Sequence, residues 1–186
     1  MRKWIIVFLS LACLFFYLKN YDISSVEGRS ENHGVIIKIS DGDTFLIEVN
    51  GKTEKVRLIG IDTPESKDNL KAKKDAARNS ADLDAMVRQG IEARRFVERN
   101  FPLGTILRIE TDRDTRDRYG RMLAYLFTED DTMINETIIR EGYATPLFYS
   151  PNYKYKSRLE EAYRYAKSNK KGLWQNGKPL HIRKDD

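Results

Sequence analysis

The sequence predicts an α+β fold: a small closed barrel of five strands, one helical region between the third and fourth strands, and helices at the end. Three observations carry this. Three short branched-chain runs follow one another from residue 34, separated by Asp-Gly and Asn-Gly pairs, and such pairs between apolar runs mark tight hairpins. A stretch with helical spacing comes next, and two more β-like runs follow it. The chain then closes on two apolar-periodic stretches that each stop at a glycine.

Taken in order, the N-terminus is different in kind from the rest. Arg2 and Lys3 precede fifteen uncharged residues, Trp4 to Leu18. A basic flank and an apolar stretch of this length read as a signal peptide or signal anchor over residues 1–25, short of the ~20 residues that span a bilayer comfortably. The remainder is therefore expected outside the cytoplasm, secreted or anchored through residues 4–18, with membrane contact only through that segment if it is retained. Cys13 is the only cysteine of the chain, so the folded part can form neither a disulfide nor a thiolate metal site. Residues 26–33 read as a polar linker.

The strands come next: "VIIKI" (35–39), "TFLIEV" (44–49) and "KVRLI" (55–59). In the second, Phe45, Ile47 and Val49 alternate with Thr44, Leu46 and Glu48; in the third, Val56 and Leu58 share one face and leave Arg57 on the other. Within "SADLDAMVRQGIEARRFVERNF" (80–101), Leu83, Met86 and Val87 and then Ala93, Phe96 and Val97 both have i, i+3, i+4 spacing. The two sets are about 80° out of phase at 100° per residue, so a break or a change of partner is expected near Gly90. "TILRIE" (105–110) and "MLAYLF" (122–127) supply the last strands, and helices are expected around Ile134 and Ile138 and around Leu159, Ala162, Tyr163 and Ala166. This order is that of the OB-fold, a five-stranded Greek-key barrel. The barrel domain is expected over residues 34–176, with a polar tail at 177–186.

Charge alone excludes little. The net charge is +5, of which Arg2, Lys3 and Lys19 against Asp22 place two charges in the first 25 residues. The remainder is mildly basic, compatible with a polyanionic partner but no proof of one. His33 and His181 are the only histidines; neither has a second ligand at motif spacing, and both are expected at the surface.

The chemistry concentrates in "DGDTF" (41–45) and "RLIGIDTPES" (57–66). Asp41 and Asp43 leave the first hairpin, while Asp62, Thr63 and Glu65 occupy a turn fixed by Pro64. Three or four carboxylates thus converge near Arg57 at one barrel mouth, and Arg121 starts the last strand beside them. Each piece has a plainer reading. Asp-Gly is a hairpin turn and Asp-Thr-Pro a turn initiator. Asp112, Asp114 and Asp117 lack the glycine and closing glutamate of a calcium-binding loop and are expected to be solvated and paired with nearby arginines. Lys67, Lys71, Lys73 and Lys74 read as a solvated loop face.

The combination resembles the staphylococcal nuclease (thermonuclease) family over nearly all of Gly34 to Trp174. The motifs "DGDTF", "VRLIGIDTPE", "DRYGRMLAYLF", "MINETIIREGYA" and "KKGLW" stand in family order. The resemblance implies an OB-barrel nuclease acting on DNA and RNA, with Ca2+ held by Asp43, Asp62 and the Thr63 carbonyl. It implies Glu65 as general base, Arg57 and Arg121 as phosphate-binding catalytic residues, and Tyr119 and Tyr149 lining the nucleotide site. Leu147 replaces a further tyrosine of the family pattern, which bears on base preference. Residues 66–89 are longer than the family's loop and are expected to be an insertion forming a lysine-bearing helical flap. A monomer is expected.

Physical chemistry asks for the same residue types. Clustered carboxylates repel a phosphodiester: one like-charge pair at 4 Å is worth about 4 kcal/mol at an effective dielectric of 20. A divalent cation between acids and phosphate removes that conflict, and oxygen-only ligands favour a hard ion. The alternative is a non-catalytic OB-fold module that binds nucleic acid. Such a module would lack several of Asp43, Asp62, Glu65, Arg57 and Arg121, and all five are present.

Overall fold

The computed structural model describes residues 33–182; the expected signal segment and most of the linker lie outside them. Five strands close a barrel in the order β1-β2-β3-β6-β5. They are β1 (His33–Asp41), β2 (Thr44–Val49), β3 (Lys52–Leu58), β5 (Ile106–Glu110) and β6 (Met122–Thr128). The β3–β6 pair is parallel and the others antiparallel, so the expected OB-type α+β fold is present. β4 (Gly60–Asp62) and β7 (Thr145–Leu147), not anticipated from the sequence, form a separate two-stranded ladder.

Local chemistry sets each element. The β2–β3 hairpin turns at Asn50-Gly51, both with positive φ, as a two-residue primed turn requires. The β1–β2 pairing carries two register shifts, the second between Ile39 and Asp41, and such bulges re-aim side chains near a strand end. Phe45, Ile47, Val56, Leu58, Leu107 and Leu126 fill the barrel at 2 % exposure or less. Burying each such side chain contributes about 1.5–3 kcal/mol.

Two helices, not one, link the third and fourth barrel strands: α1 (Leu70–Asn79) and α2 (Leu83–Asn100). Asn69 caps α1 by accepting from Ala72 N–H at 2.9 Å, and Asp82 caps α2 by accepting from Ala85 N–H at 2.7 Å. α2 runs through Gly90 without a break. The phase slip fits a change of partner: Phe96 and Val97 join the barrel core, whereas Met86 is buried outside that cluster, and the neighbouring Gln89 accepts a bond from Leu180 N–H at 2.9 Å. Gly90 has its own reason. A Cβ there would sit 2.2 Å from the Glu65 carbonyl oxygen, so α2 presses directly on the backbone that carries the glutamate.

Two further helices, α3 (Ile134–Arg140) and α4 (Lys156–Ser168), and a 3-10 turn at Gly172–Asn176 complete the fold. Asn135 is fully buried at the start of α3. It accepts from Leu126 N–H at 3.0 Å and donates to the Ile59 carbonyl at 2.9 Å, tying helix to barrel. The segment expected as a polar tail packs inward as far as Ile182. Pro179, His181 and Ile182 are buried, and the Leu180 carbonyl accepts from Asn79 Nδ2 at 2.8 Å. His181 is therefore not a surface residue; it is 4 % exposed. Among the described residues no helix is long and apolar enough to cross a membrane.

Candidate active site

Strand register assembles the site. Thr44 lies opposite Arg57 across β2–β3, and Val56 opposite Met122 across β3–β6. Asp43 and Arg121 each precede one of those partners by a residue, so both stand at the barrel end where Arg57 emerges. Gly42 lets this hairpin approach the β4 exit closely: a Cβ there would lie 2.9 Å from the Thr63 side chain.

Asp43 is 6 % exposed, and a carboxylate at that depth needs partners to stay ionised. It accepts from the Thr44 hydroxyl, the Thr63 hydroxyl and the Thr63 N–H, each at 3.0 Å, and pairs with Arg57. Burial opposes its charge, but Arg57, Lys71 and these hydrogen bonds prevail and hold its carboxyl below the usual range. The other guanidinium nitrogen of Arg57 reaches Asp62 at 2.9 Å, so one arginine is clamped between two acids. Asp62 is pushed the opposite way. Burial raises it, and Lys71 and Arg57 offset only part of that. Asp41, which accepts from the Ser66 and Gly42 N–H groups, is raised to about 7 by burial and then by the charges of Asp43 and Glu65. Arg57 keeps its charge: burial works against it, but Asp43 and Asp62 raise its pKa.

Glu65 is held by α1. Asn69 Nδ2 donates to one carboxylate oxygen at 2.7 Å, and Lys71 Nζ lies 3.0 Å from the other. The same ammonium reaches Asp62 and Asp75, each at 3.4 Å. Lys71 thus faces the acids instead of forming part of a solvated lysine face, while Lys73 pairs with Asp68 at 3.1 Å. Burial works against the Lys71 charge, but Asp62, Glu65 and Asp43 raise its pKa and keep it cationic. His181, close by, is lowered to about 3 by burial and then by the Lys71 charge, and is neutral near pH 7.

On the other side of Arg57 a cleft of about 440 Å³ is lined by Arg57, Arg121, Tyr119 and Tyr149 among others. Asp117 accepts from Arg121 Nε at 2.6 Å and from the Tyr119 and Arg121 N–H groups, so it positions arginine and tyrosine together. Asp112 is occupied differently, by the Lys154 N–H at 2.9 Å and the Tyr125 hydroxyl at 3.2 Å. Tyr119 and Tyr149 are 69 % and 71 % exposed, and the Arg118 guanidinium carbon lies 4.8 Å from the Tyr119 ring centre. The Arg121 guanidinium carbon lies 5.6 Å from the Tyr119 ring centre.

The other seven residues expected at the site thus lie around Arg57. Asp43, Asp62 and Thr63 group on one side, with Glu65 joined through Lys71; Arg121, Tyr119 and Tyr149 line the cleft on the other. Sequence reading missed Asn69, Lys71 and Asp75, although an Asn ahead of "LKAKKDAARN" is a helix-start signal and Lys71–Asp75 has i, i+4 spacing. Among the described residues no three acidic, cysteine or histidine side chains form a preformed metal cage; Arg57 and Lys71 pair with the acids instead. The donor set nonetheless fits a hard divalent ion: the carboxylates of Asp43 and Asp62 already share one cationic group, and carboxylate oxygens suit such an ion.

Comparison with known proteins adds an independent line. A profile described as staphylococcal nuclease homologue matches residues 55–176, a range that includes Arg57, Asp62, Glu65, Arg121 and both tyrosines. The thermonuclease of Staphylococcus hyicus is 37 % identical over 154 residues, covering 82 % of each chain. That of Staphylococcus intermedius is 34 % identical over 153 residues, covering 82 % of this chain and 81 % of the relative. Endonuclease YhcR of Bacillus subtilis (strain 168) is 29 % identical over 160 residues, which are 84 % of this chain but 12 % of that protein. With its profile matched over most of the folded part and the thermonucleases matched over most of their length, this chain belongs to the staphylococcal nuclease homologue family.

Proposed function

We propose that this protein is a calcium-dependent nuclease that hydrolyses phosphodiester bonds of DNA and RNA and leaves 3′-phosphate ends. The observation that carries the reading is Arg57, clamped between Asp43 and Asp62 on one side and lining a cleft with Arg121 and two exposed tyrosines on the other. Kinship with thermonucleases and an endonuclease supports it.

In this reading Tyr119 and Tyr149 stack on bases flanking the cleaved bond, a sequence-tolerant contact worth about 1–3 kcal/mol per base. Arg57 and Arg121 grip phosphate oxygens, since a planar guanidinium binds two such oxygens together. Glu65 takes a proton from water as its oxygen attacks phosphorus. The bond from phosphorus to the 5′ oxygen breaks, that oxygen takes a proton from solvent water to end as a 5′ hydroxyl, and Glu65 returns its proton to solvent. Asp43, Asp62 and the Thr63 carbonyl would hold the calcium ion, which supplies charge compensation for the crowded oxygens when bound. The two arginines stabilise the charge growing on the equatorial oxygens.

Plasmid cleavage by the purified protein tests this. Cutting should appear with millimolar calcium, vanish with chelator, and leave ends that polynucleotide 3′-phosphatase must open before a polymerase extends them. Full activity in chelator would remove the metal from the reading, and no cutting under any divalent ion would favour the binding module.

A further inference from the structure

We propose that Lys71 is an internal competitor for the divalent cation, occupying the gap between Asp62 and Glu65 until the metal displaces it towards Asp75. The proposal rests on the reading that Asp43 and Asp62 hold the metal. Its own support is geometric. The Lys71 ammonium lies 3.0 Å from Glu65 and 3.4 Å from Asp62, a bridging position between a metal-holding acid and the proposed base. A divalent ion on Asp62 would stand beside that ammonium, and two cations so placed in a partly buried site repel strongly. The metal and Lys71 therefore cannot both keep these contacts.

The fold gives the lysine somewhere to go. Asp75, one turn along α1, is 7 % exposed; one of its oxygens pairs with Arg78 at 2.9 Å, and the other already lies 3.4 Å from Nζ and can receive the ammonium. The Lys71 side chain is 43 % exposed and has four rotatable bonds, which permits the swing. Asn69 keeps its bond to Glu65, so the glutamate stays held when the lysine leaves. Asn69, Lys71 and Asp75 lie on the segment expected as an insertion, whereas Asp62 and Glu65 precede it.

Calorimetric titration with calcium chloride, on wild type and variants without substrate, decides the matter. Lys71→Met should bind calcium at least tenfold more tightly than wild type. Lys73→Met makes the same change of charge on an exposed lysine of the same helix and should shift affinity less than twofold. Asp75→Asn should weaken binding several-fold, and that effect should disappear in Lys71→Met/Asp75→Asn, because Asp75 acts through the lysine. Calcium binding by Lys71→Met but not by wild type would also support competition. Equal affinity of Lys71→Met and wild type, or equal gains from Lys71→Met and Lys73→Met, would overturn the proposal and leave the metal reading standing. No binding by any variant would remove both.

Discussion

Asp117 illustrates how a side chain away from the acids can govern the chemistry. It fixes Arg121 through Nε and, through two N–H groups, the loop that presents Tyr119. Asp117→Asn should therefore lower kcat/KM about tenfold or more on DNA, as loss of a positioned transition-state donor does. The carboxyl also carries a pH signature. Burial alone would raise it, but the Arg121 bond and the backbone N–H groups win and lower its pKa in the folded protein. A group depressed on folding contributes stability that is present above its unfolded pKa of about 3.9 and lost as pH falls through the folded value. Melting temperatures of wild type and Asp117→Asn should therefore differ at neutral pH and draw together as the pH falls through the lowered value of Asp117; a constant gap at all pH would contradict this pairing. The principal acids and arginines were legible in the sequence because their spacing along strands fixes where they emerge. Lys71 was not, because its partners Glu65 and Asp62 are six and nine residues back and its direction depends on how α1 packs.

At the scale of elements, the barrel strands were readable from branched-chain runs and turn dipeptides, although β1 and β3 begin two and three residues before the expected runs, whereas the β4–β7 ladder was not. Three residues on each side carry too little pattern to separate a short ladder from a loop. The helical segment was legible in type, and of the two explanations expected at Gly90 the helix shows no break. That glycine links fold to site. Gly90→Ala would drive a Cβ into the Glu65 and Ser66 backbone, and backbone cannot yield as a flexible side chain can. Overpacking of this kind costs about 1–3 kcal/mol. Thermal melting should record that loss. Cleavage should fall beyond what the unfolded fraction explains, because Glu65 moves. A stable Gly90→Ala protein with full activity would show that α2 does not set the glutamate's position.

For the whole molecule, the barrel supplies a rigid end where strands from three parts of the sequence deliver Asp43, Arg57 and Arg121, and the peripheral segments refine what happens there. α1 holds Glu65, and residues 179–182 pack beside α1 and α2 through Asn79 and Gln89. That closing role was invisible in a tail read as polar, since its apolar residues are few and their partners lie about a hundred residues away. The central claim is that this barrel end hydrolyses phosphodiesters with Glu65 as the base. The most direct measurement is the single-turnover cleavage rate of a labelled DNA oligonucleotide in calcium by wild type and Glu65→Gln, with binding measured in parallel. Unchanged affinity and a rate lower by a factor of roughly 10²–10³ or more is the expected result, whereas cleavage by Glu65→Gln at the wild-type rate would contradict the account.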